Sequence, residues 1–145
     1  MVYENRKVED IEEKAKRTAG EMFLVEDIDS TILQIIKYEY PKNRITVELT
    51  SDEFTCVCPY SSLPDFACLT IKYTPREKLI ELKSLKYYLY SFRNVQVYNE
   101  HAVNKILQDL KKILKPYEIT VIAEFTSRGG IKNRVLASYK ASDEK

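Results

Sequence analysis

Residues 44–73 read RITVELTSDEFTCVCPYSSLPDFACLTIKY and contain two runs in which apolar and polar side chains alternate. The first run covers residues 44–50 and the second covers residues 66–73. Strict alternation is typical of a β-strand with one buried face. We therefore expect a hairpin-like pair of strands, joined by a long loop that contains Cys58 and Asp65.

Two helices are expected after this pair. Apolar residues recur three or four positions apart over residues 82–93 and again over residues 99–115, which is the spacing of one helix face. Asn99 is the expected N-cap of the second helix, and Pro116 is expected to end it.

Alternation returns over residues 119–126 and 131–139, on either side of an Arg128-Gly129-Gly130 turn. The expected fold is therefore α+β, an antiparallel four-stranded sheet with two helices on one face. Four strands do not close a barrel, and the second face of the sheet is apolar enough to need cover. We expect a homo-oligomer in which several sheets join.

The chain is expected to form a single domain, residues 1–145, with its core over residues 44–139. Residues 1–43 are interpreted as an N-terminal extension that holds a short helix at 6–19 and an extended segment at 31–39. Residues 140–145 are interpreted as a polar tail.

The composition excludes several classes of function. Across 145 residues the charged side chains nearly balance at a net charge of +1, so neither direct nucleic-acid binding nor a membrane surface is indicated. No targeting segment is recognisable, and three cysteines without framework spacing favour a reducing cytoplasm. Only three glycines are present, which excludes a dinucleotide fingerprint and a P-loop.

Cys58 is the strongest candidate for chemistry, because a thiolate is a potent nucleophile where its pKa is lowered. Asp65 follows Pro64 and is a candidate proton donor. The alternative is that Cys58 is a small buried hydrophobe and Asp65 a turn residue. The cysteines and His101 would suffice in number for zinc, but Cys-x-Cys is an uncommon zinc motif, and no metal is expected.

Charged residues near the two helices are candidates for ligand binding. Glu100 could accept two parallel hydrogen bonds from a guanine-like edge, or could simply favour the positive end of its helix. Lys83, Lys86 and Arg128 could bind phosphates, or could be solvated surface cations.

Taken together, these segments resemble the QueF family, the NADPH-dependent 7-cyano-7-deazaguanine reductases of queuosine biosynthesis. The resemblance covers roughly residues 44–139, and the Glu81–Tyr88 block is its most specific part. The matching blocks are FTCVCP at 54–59, PDF at 64–66, ELKSLKYY at 81–88, SFRN at 91–94 leading to Glu100, and FTSRGG at 125–130.

The resemblance implies a tunnelling fold (T-fold) whose subunits join their sheets into a barrel, with sites at subunit interfaces and two stacked pentamer rings. It implies reduction of a nitrile to an aminomethyl group through a cysteine thioimidate, with two NADPH consumed. The residues it assigns are Cys58 as nucleophile, Asp65 as general acid, Ile80, Glu81, Leu82, Asn99 and Glu100 for the substrate, and Lys83 and Lys86 for NADPH. Arg128, a candidate phosphate ligand by its charge, is expected to join the lysines in binding NADPH.

The sequence departs from the family pattern at several positions. The family usually has histidine where Asn99 stands, and commonly Thr-Gly where Ser61 and Ser62 stand, while Cys56 is an additional thiol. Three alternatives stay open: a QueF-like amidinotransferase acting on the nitrile in tRNA, a zinc-dependent cyclohydrolase, and a non-catalytic T-fold binding module.

Overall fold

The computed structural model describes residues 21–143, so the helix expected over residues 6–19 lies outside the described residues. Short 3₁₀ turns at Val25–Asp27, Ser30–Ile32, Ser91–Asn94 and Ala141–Asp143 connect or extend the main elements. The strands and helices are β1 (Phe23–Leu24), β2 (Ile35–Lys37), β3 (Val47–Val57), β4 (Pro64–Thr74), β5 (Lys78–Ile80), α1 (Leu82–Tyr90), β6 (Val95–Gln96), α2 (Asn99–Leu114), β7 (Glu118–Arg128) and β8 (Ile131–Lys140).

The α+β class is confirmed, but the sheet is mixed rather than purely antiparallel. Six strands are ordered β1-β6-β3-β4-β7-β8, and β2 pairs separately with β5. The four long strands are antiparallel as expected, whereas β6 runs parallel to both β1 and β3. The four-strand expectation was wrong because two-residue strands are too short to show alternation.

The first hairpin is longer than expected. β3 continues to Val57, with a shift in register between Ser51 and Phe54. This irregularity hides the continuation of the strand in the sequence, because a bulge interrupts strict alternation. β4 begins at Pro64, so Asp65 lies in the strand and the connecting loop is only residues 58–63.

The core lies between the sheet and the two helices, which occupy one face of it. Leu85 of α1, Ile106 of α2, Leu69 of β4 and Val121 of β7 all belong to one buried cluster. On the opposite face, Lys72 and other alternate residues are exposed. Full burial of each large aliphatic side chain stabilises the fold by about 1.5–3 kcal/mol.

The end of α1 and the start of α2 differ from the expectation. Helix α1 ends at Tyr90 and continues as a 3₁₀ turn. The N-cap of α2 is Tyr98, and Asn99 is its first helical residue. Asn99 was therefore wrongly expected as the cap, since polar residues at a helix start do not reveal the exact boundary. No helix within residues 21–143 is long and apolar enough to cross a membrane.

Candidate active site

Cys58 opens a tight loop at the end of β3. Its amide donates to the carbonyl of Leu63, and the amide of Ser62 donates to the carbonyl of Cys58, both at 2.9 Å. Ser62 has a left-handed backbone with φ of 59°, a conformation that glycine adopts without steric cost. The hydrogen bonds hold this loop closed although the chain has serine where the resemblance expects glycine.

The thiol of Cys58 sits where its ionised form is favoured. Partial burial acts to raise its pKa, but hydrogen bonds from the hydroxyl and amide of Ser61 and from the amide of Tyr60 outweigh burial. The pKa of Cys58 is therefore lowered from that of an ordinary thiol, although the charge of Asp65 opposes this. A lowered pKa makes more thiolate available near neutrality.

Asp65 is a buried carboxyl group on the neighbouring strand. It is 9% exposed and lies opposite Cys56 in the register of β3 and β4. Burial raises the pKa of Asp65, and the charge of Arg128 partly opposes the rise. A raised pKa favours a protonated carboxyl group, which is the form a general acid requires.

Arg128 contacts Asp65 from the end of β7. Its Nη2 lies 2.9 Å from Oδ1 of Asp65, and the same nitrogen donates to the carbonyl of Pro64. Arg128 was expected at the cofactor, and its contact with Asp65 was not expected. No sequence signal was available for it, since the two residues are far apart in the chain and meet only through strand order.

Glu100 is brought to the same end of the sheet as Cys58. Val57 pairs with Gln96 of β6, and the amide of Val97 donates to the carbonyl of Val57, so the chain enters α2 beside the end of β3. Glu100 lies in the first turn of α2, exposed, where Nδ2 of Asn133 contacts its Oε1 at 3.4 Å.

Comparison with known proteins identifies the family. A family model described as "QueF-like protein" matches residues 64–144. The chain is 50% identical over 128 residues to a Caldicellulosiruptor bescii protein named NADPH-dependent 7-cyano-7-deazaguanine reductase, covering 88% of this chain and 98% of that protein. A Caldanaerobacter subterraneus protein of the same name is 48% identical over 131 residues, covering 90% and 98%. The chain belongs to the QueF family.

A solved structure agrees with the fold of this QueF-family chain. The crystal structure of the archaeosine synthase QueF-Like in the apo form matches with a TM-score of 0.60, covering 64% of this chain and 91% of that one. The two sequences are 22% identical, so this likeness concerns the fold alone.

The QueF-family block at 81–88 divides into structural and exposed residues. The carboxylate of Glu81 caps α1 by accepting from the amides of Lys83 at 2.9 Å and Ser84 at 2.6 Å. These bonds hold the pKa of Glu81 below its usual value. Tyr88 is fully buried, and Ile80, just before the block, is also buried. Leu82 is exposed, with 60% of its surface accessible.

Lys83 and Lys86 lie three positions apart on α1 and are both exposed. The ammonium group of Lys86 lies 5.0 Å from the ring of Tyr87. Lys86 also lines a cavity of about 360 Å³ between α1 and the sheet, which is lined mainly by apolar residues such as Leu69 and Leu85. Two exposed ammonium groups on one helix suit the phosphates of a nucleotide cofactor.

The buried oxygen Oδ1 of Asn99 has no hydrogen-bond partner within the described part of the chain. It lies at the start of α2, beside Glu100. In the same residues, 21–143, no three histidine, cysteine or carboxylate side chains come together as a metal site would require. Cys56, Cys58 and Cys68 are all free thiols, so Cys56 does not pair with Cys58 in this structure.

Proposed function

We propose that this protein reduces the nitrile of 7-cyano-7-deazaguanine to the aminomethyl group of 7-aminomethyl-7-deazaguanine, using NADPH. The observation that carries the proposal is the placement of Cys58, whose pKa is lowered, at the same sheet end as the buried acid Asp65. The substrate and cofactor come from the names of relatives that are about half identical over most of the chain.

The first chemical step is proposed to join Cys58 to the nitrile. The thiolate attacks the nitrile carbon, a carbon–sulfur bond forms, and one carbon–nitrogen π bond breaks. The electron pair moves to nitrogen, which takes the proton of the Asp65 carboxyl group. The products are a neutral thioimidate and an Asp65 carboxylate. In this step Cys58 acts as the nucleophile and Asp65 as the general acid.

Substrate recognition is proposed to rest on the first turn of α2. The carboxylate of Glu100 is exposed and can accept two hydrogen bonds from the deazaguanine edge. Asn99 lies beside it, with an oxygen that has no partner within residues 21–143. Ile80, Glu81 and Leu82 follow the Tyr73 end of β4, at the opposite end of that strand from Asp65. They are therefore proposed to reach the substrate from a second copy of the chain, with the side chain of Glu81 retained as the cap of α1.

The residues proposed to hold NADPH are Lys83, Lys86 and Arg128. Exposed lysines bind phosphates as point charges, whereas a guanidinium group offers a planar fork of donors. When bound, NADPH supplies hydride to the carbon that Cys58 holds. The residues of the chain itself bind and orient the ligands and move the proton of Asp65.

We propose that several copies assemble their sheets into a T-fold barrel, as a decamer of two pentamer rings. Large apolar side chains exposed in and beside the Cys58 loop support an interface there. They are Tyr60, Leu63, Phe66, Tyr98 and Ile131. Such residues rarely cluster on the surface of a monomer. We place the reaction in the cytoplasm, where free thiols such as the three in this chain persist.

The deciding experiment is the loss of nicotinamide absorbance when the protein is mixed with NADPH and 7-cyano-7-deazaguanine. The proposal predicts two NADPH oxidised per nitrile, no turnover for Cys58→Ala, and normal turnover for Cys68→Ala. Cys68 is a matched control because it is also a partly buried free thiol. A covalent adduct on Cys58 without NADPH oxidation would favour the amidinotransferase. If the protein formed no adduct on Cys58 and oxidised no NADPH, both the reductase and the amidinotransferase would be overturned.

A further inference from the structure

We propose that Arg128 is a positioning residue for the general acid, holding the protonated Asp65 carboxyl group by a hydrogen bond and stabilising, as an ion pair, the carboxylate left after proton transfer. This inference rests on the proposed function and concerns the same site. It gives Arg128 a task in the first chemical step, before and apart from any contact with the cofactor.

The geometry of the sheet brings Arg128 to Asp65. The ladder between β4 and β7 ends at Ala67 opposite Phe125. In the pairing of β7 with β8, the register shifts between Phe125 and Arg128. Gly129 and Gly130 then turn the chain with φ of 56° and 76°, values that glycine adopts without steric cost. Arg128 therefore lies beyond the regular ladder, where its side chain can reach across the end of β4.

The contact orients the carboxyl group rather than merely neutralising it. Nη2 of Arg128 lies 2.9 Å from Oδ1 of Asp65 and also donates to the carbonyl of Pro64, the preceding residue. Because the second bond is to the backbone, the guanidinium group is held in place relative to β4. Oδ1 is thereby occupied, which leaves Oδ2 as the oxygen that carries the proton to the substrate.

Within residues 21–143, three ionisable groups surround Asp65, and the guanidinium group of Arg128 is the one that carries a positive charge. Cys56 faces Asp65 from β3, Cys58 lies in the adjoining loop, and Arg128 approaches from β7. Cys56 stays neutral because burial, then the charges of Asp65 and Cys58, raise its pKa to about 12. Arg128 therefore supplies the positive charge that meets the carboxylate formed when Asp65 loses its proton.

The pair of Arg128 and Asp65 is half-buried. The side chain of Arg128 is 45% exposed and that of Asp65 is 12% exposed. Exposed ion pairs contribute about 0–1 kcal/mol to folding stability, whereas removing one partner of a buried pair is costly because a buried charge is left alone. Asp65 avoids that cost by remaining protonated when Arg128 is removed, since burial already raises its pKa. Replacing Arg128 should therefore leave the fold intact while changing the behaviour of Asp65, so the two effects can be measured separately.

The first test is the titration of the Asp65 carboxyl carbon by ¹³C NMR in the full-length protein, for wild type, Arg128→Gln and Arg128→Lys. The positive charge of Arg128 lowers the pKa of Asp65, against the effect of burial. Asp65 should therefore titrate at higher pH in Arg128→Gln, which lacks that charge. Arg128→Lys should restore the wild-type value. Arg134→Gln is the matched control, because Arg134 forms an exposed ion pair with Glu124 and should leave Asp65 unchanged.

The second test is the rate of adduct formation between Cys58 and 7-cyano-7-deazaguanine without NADPH, followed by the mass of the intact protein. Omitting NADPH removes any contribution of Arg128 to cofactor binding. We expect Arg128→Gln to slow the reaction by roughly ten- to a hundredfold, as misplaced catalytic groups do, and one limb of its pH profile to move with the Asp65 titration. Arg134→Gln should behave as wild type.

An unchanged Asp65 titration in Arg128→Gln would overturn the inference. A shifted titration with a wild-type adduct rate and pH profile would overturn the positioning role. Failure of the wild type to form any adduct would instead overturn the proposed reaction, and with it the task of Arg128 in that reaction. If Arg128→Gln did not fold, Arg128→Lys alone should still titrate as wild type yet form the adduct more slowly, because the planar fork is lost.

Discussion

Cys56 lies directly opposite Asp65 in the antiparallel pair of β3 and β4, and both side chains are buried. Burial, followed by the charges of Asp65 and Cys58, raises the pKa of Cys56 to about 12. Two residues further on, hydrogen bonds lower the pKa of Cys58 in spite of its partial burial. Neighbouring thiols in one strand and its loop therefore have opposite chemical characters.

Alkylation should distinguish these two thiols. Near neutral pH, iodoacetamide should modify Cys58 faster than Cys56 by roughly a hundredfold or more, because the thiolate reacts and the buried thiol neither ionises nor meets the reagent. Peptide mass spectrometry after timed quenching gives both rates.

Unfolding in guanidinium chloride is the control for this experiment, since it should make the two cysteines react at similar rates. Equal rates in the native protein would contradict the assigned environments of both thiols.

Ser62→Gly should stabilise the protein. Ser62 has a φ of 59°, and a left-handed backbone costs a non-glycine residue about 1–2 kcal/mol. Glycine removes that cost but loses about 0.4–1 kcal/mol through the greater freedom of the unfolded chain, leaving a net gain of about 0.5–1 kcal/mol. Urea unfolding at fixed protein concentration measures it.

Lys115→Gly is a matched variant, because Lys115 has a φ of 47° at the end of α2 and should also gain stability. Ser138→Gly, in the regular strand β8, should lose stability instead. A loss of stability in Ser62→Gly would show that its hydroxyl matters more than the backbone strain.

Glu81→Ala should lower stability most at neutral pH. Hydrogen bonds from the amides of Ser84 and Lys83 hold the folded-state pKa of Glu81 below its unfolded value. The cap therefore contributes its full stabilisation above the unfolded pKa, and that contribution is lost as the pH falls through the folded pKa. The stability difference between wild type and Glu81→Ala should narrow over this acid range.

Glu81→Gln keeps an oxygen acceptor for the amides and should lie closer to wild type at neutral pH. Glu77→Ala, which removes an exposed carboxylate just before β5 that caps no helix, is the control, and its stability at neutral pH should stay close to that of wild type. A constant difference for Glu81→Ala across the range would contradict the capping role.

Tyr88→Phe should destabilise the protein by about 1–2 kcal/mol, the usual cost of removing one partner of a buried hydrogen bond. The hydroxyl of Tyr88 donates to Oδ2 of Asp109 at 2.6 Å, and this tyrosine is fully buried. Thermal unfolding monitored by circular dichroism gives the change. Tyr90→Phe, which breaks an exposed bond to Glu53, should have a smaller effect, and the reverse order would contradict the assignment.

Much of the fold follows from side-chain periodicity, which is local information. Alternation predicted the second strand of the hairpin and both strands after α2, and apolar residues three or four apart predicted α1 and α2. The short strands β1 and β6 were missed because pairing over two residues depends on backbone contacts with distant segments and leaves no periodic pattern in the side chains.

The residues of the candidate site were also predicted from local sequence only in part. By itself the sequence determined the α+β class, the QueF family and the choice of Cys58 and Glu100 as residues to test, because these depend on local pattern and on motifs. Only the tertiary structure placed Arg128 against Asp65 and Asp65 opposite Cys56. Those contacts depend on strand order and register, which are decided by how the whole sheet packs against its helices.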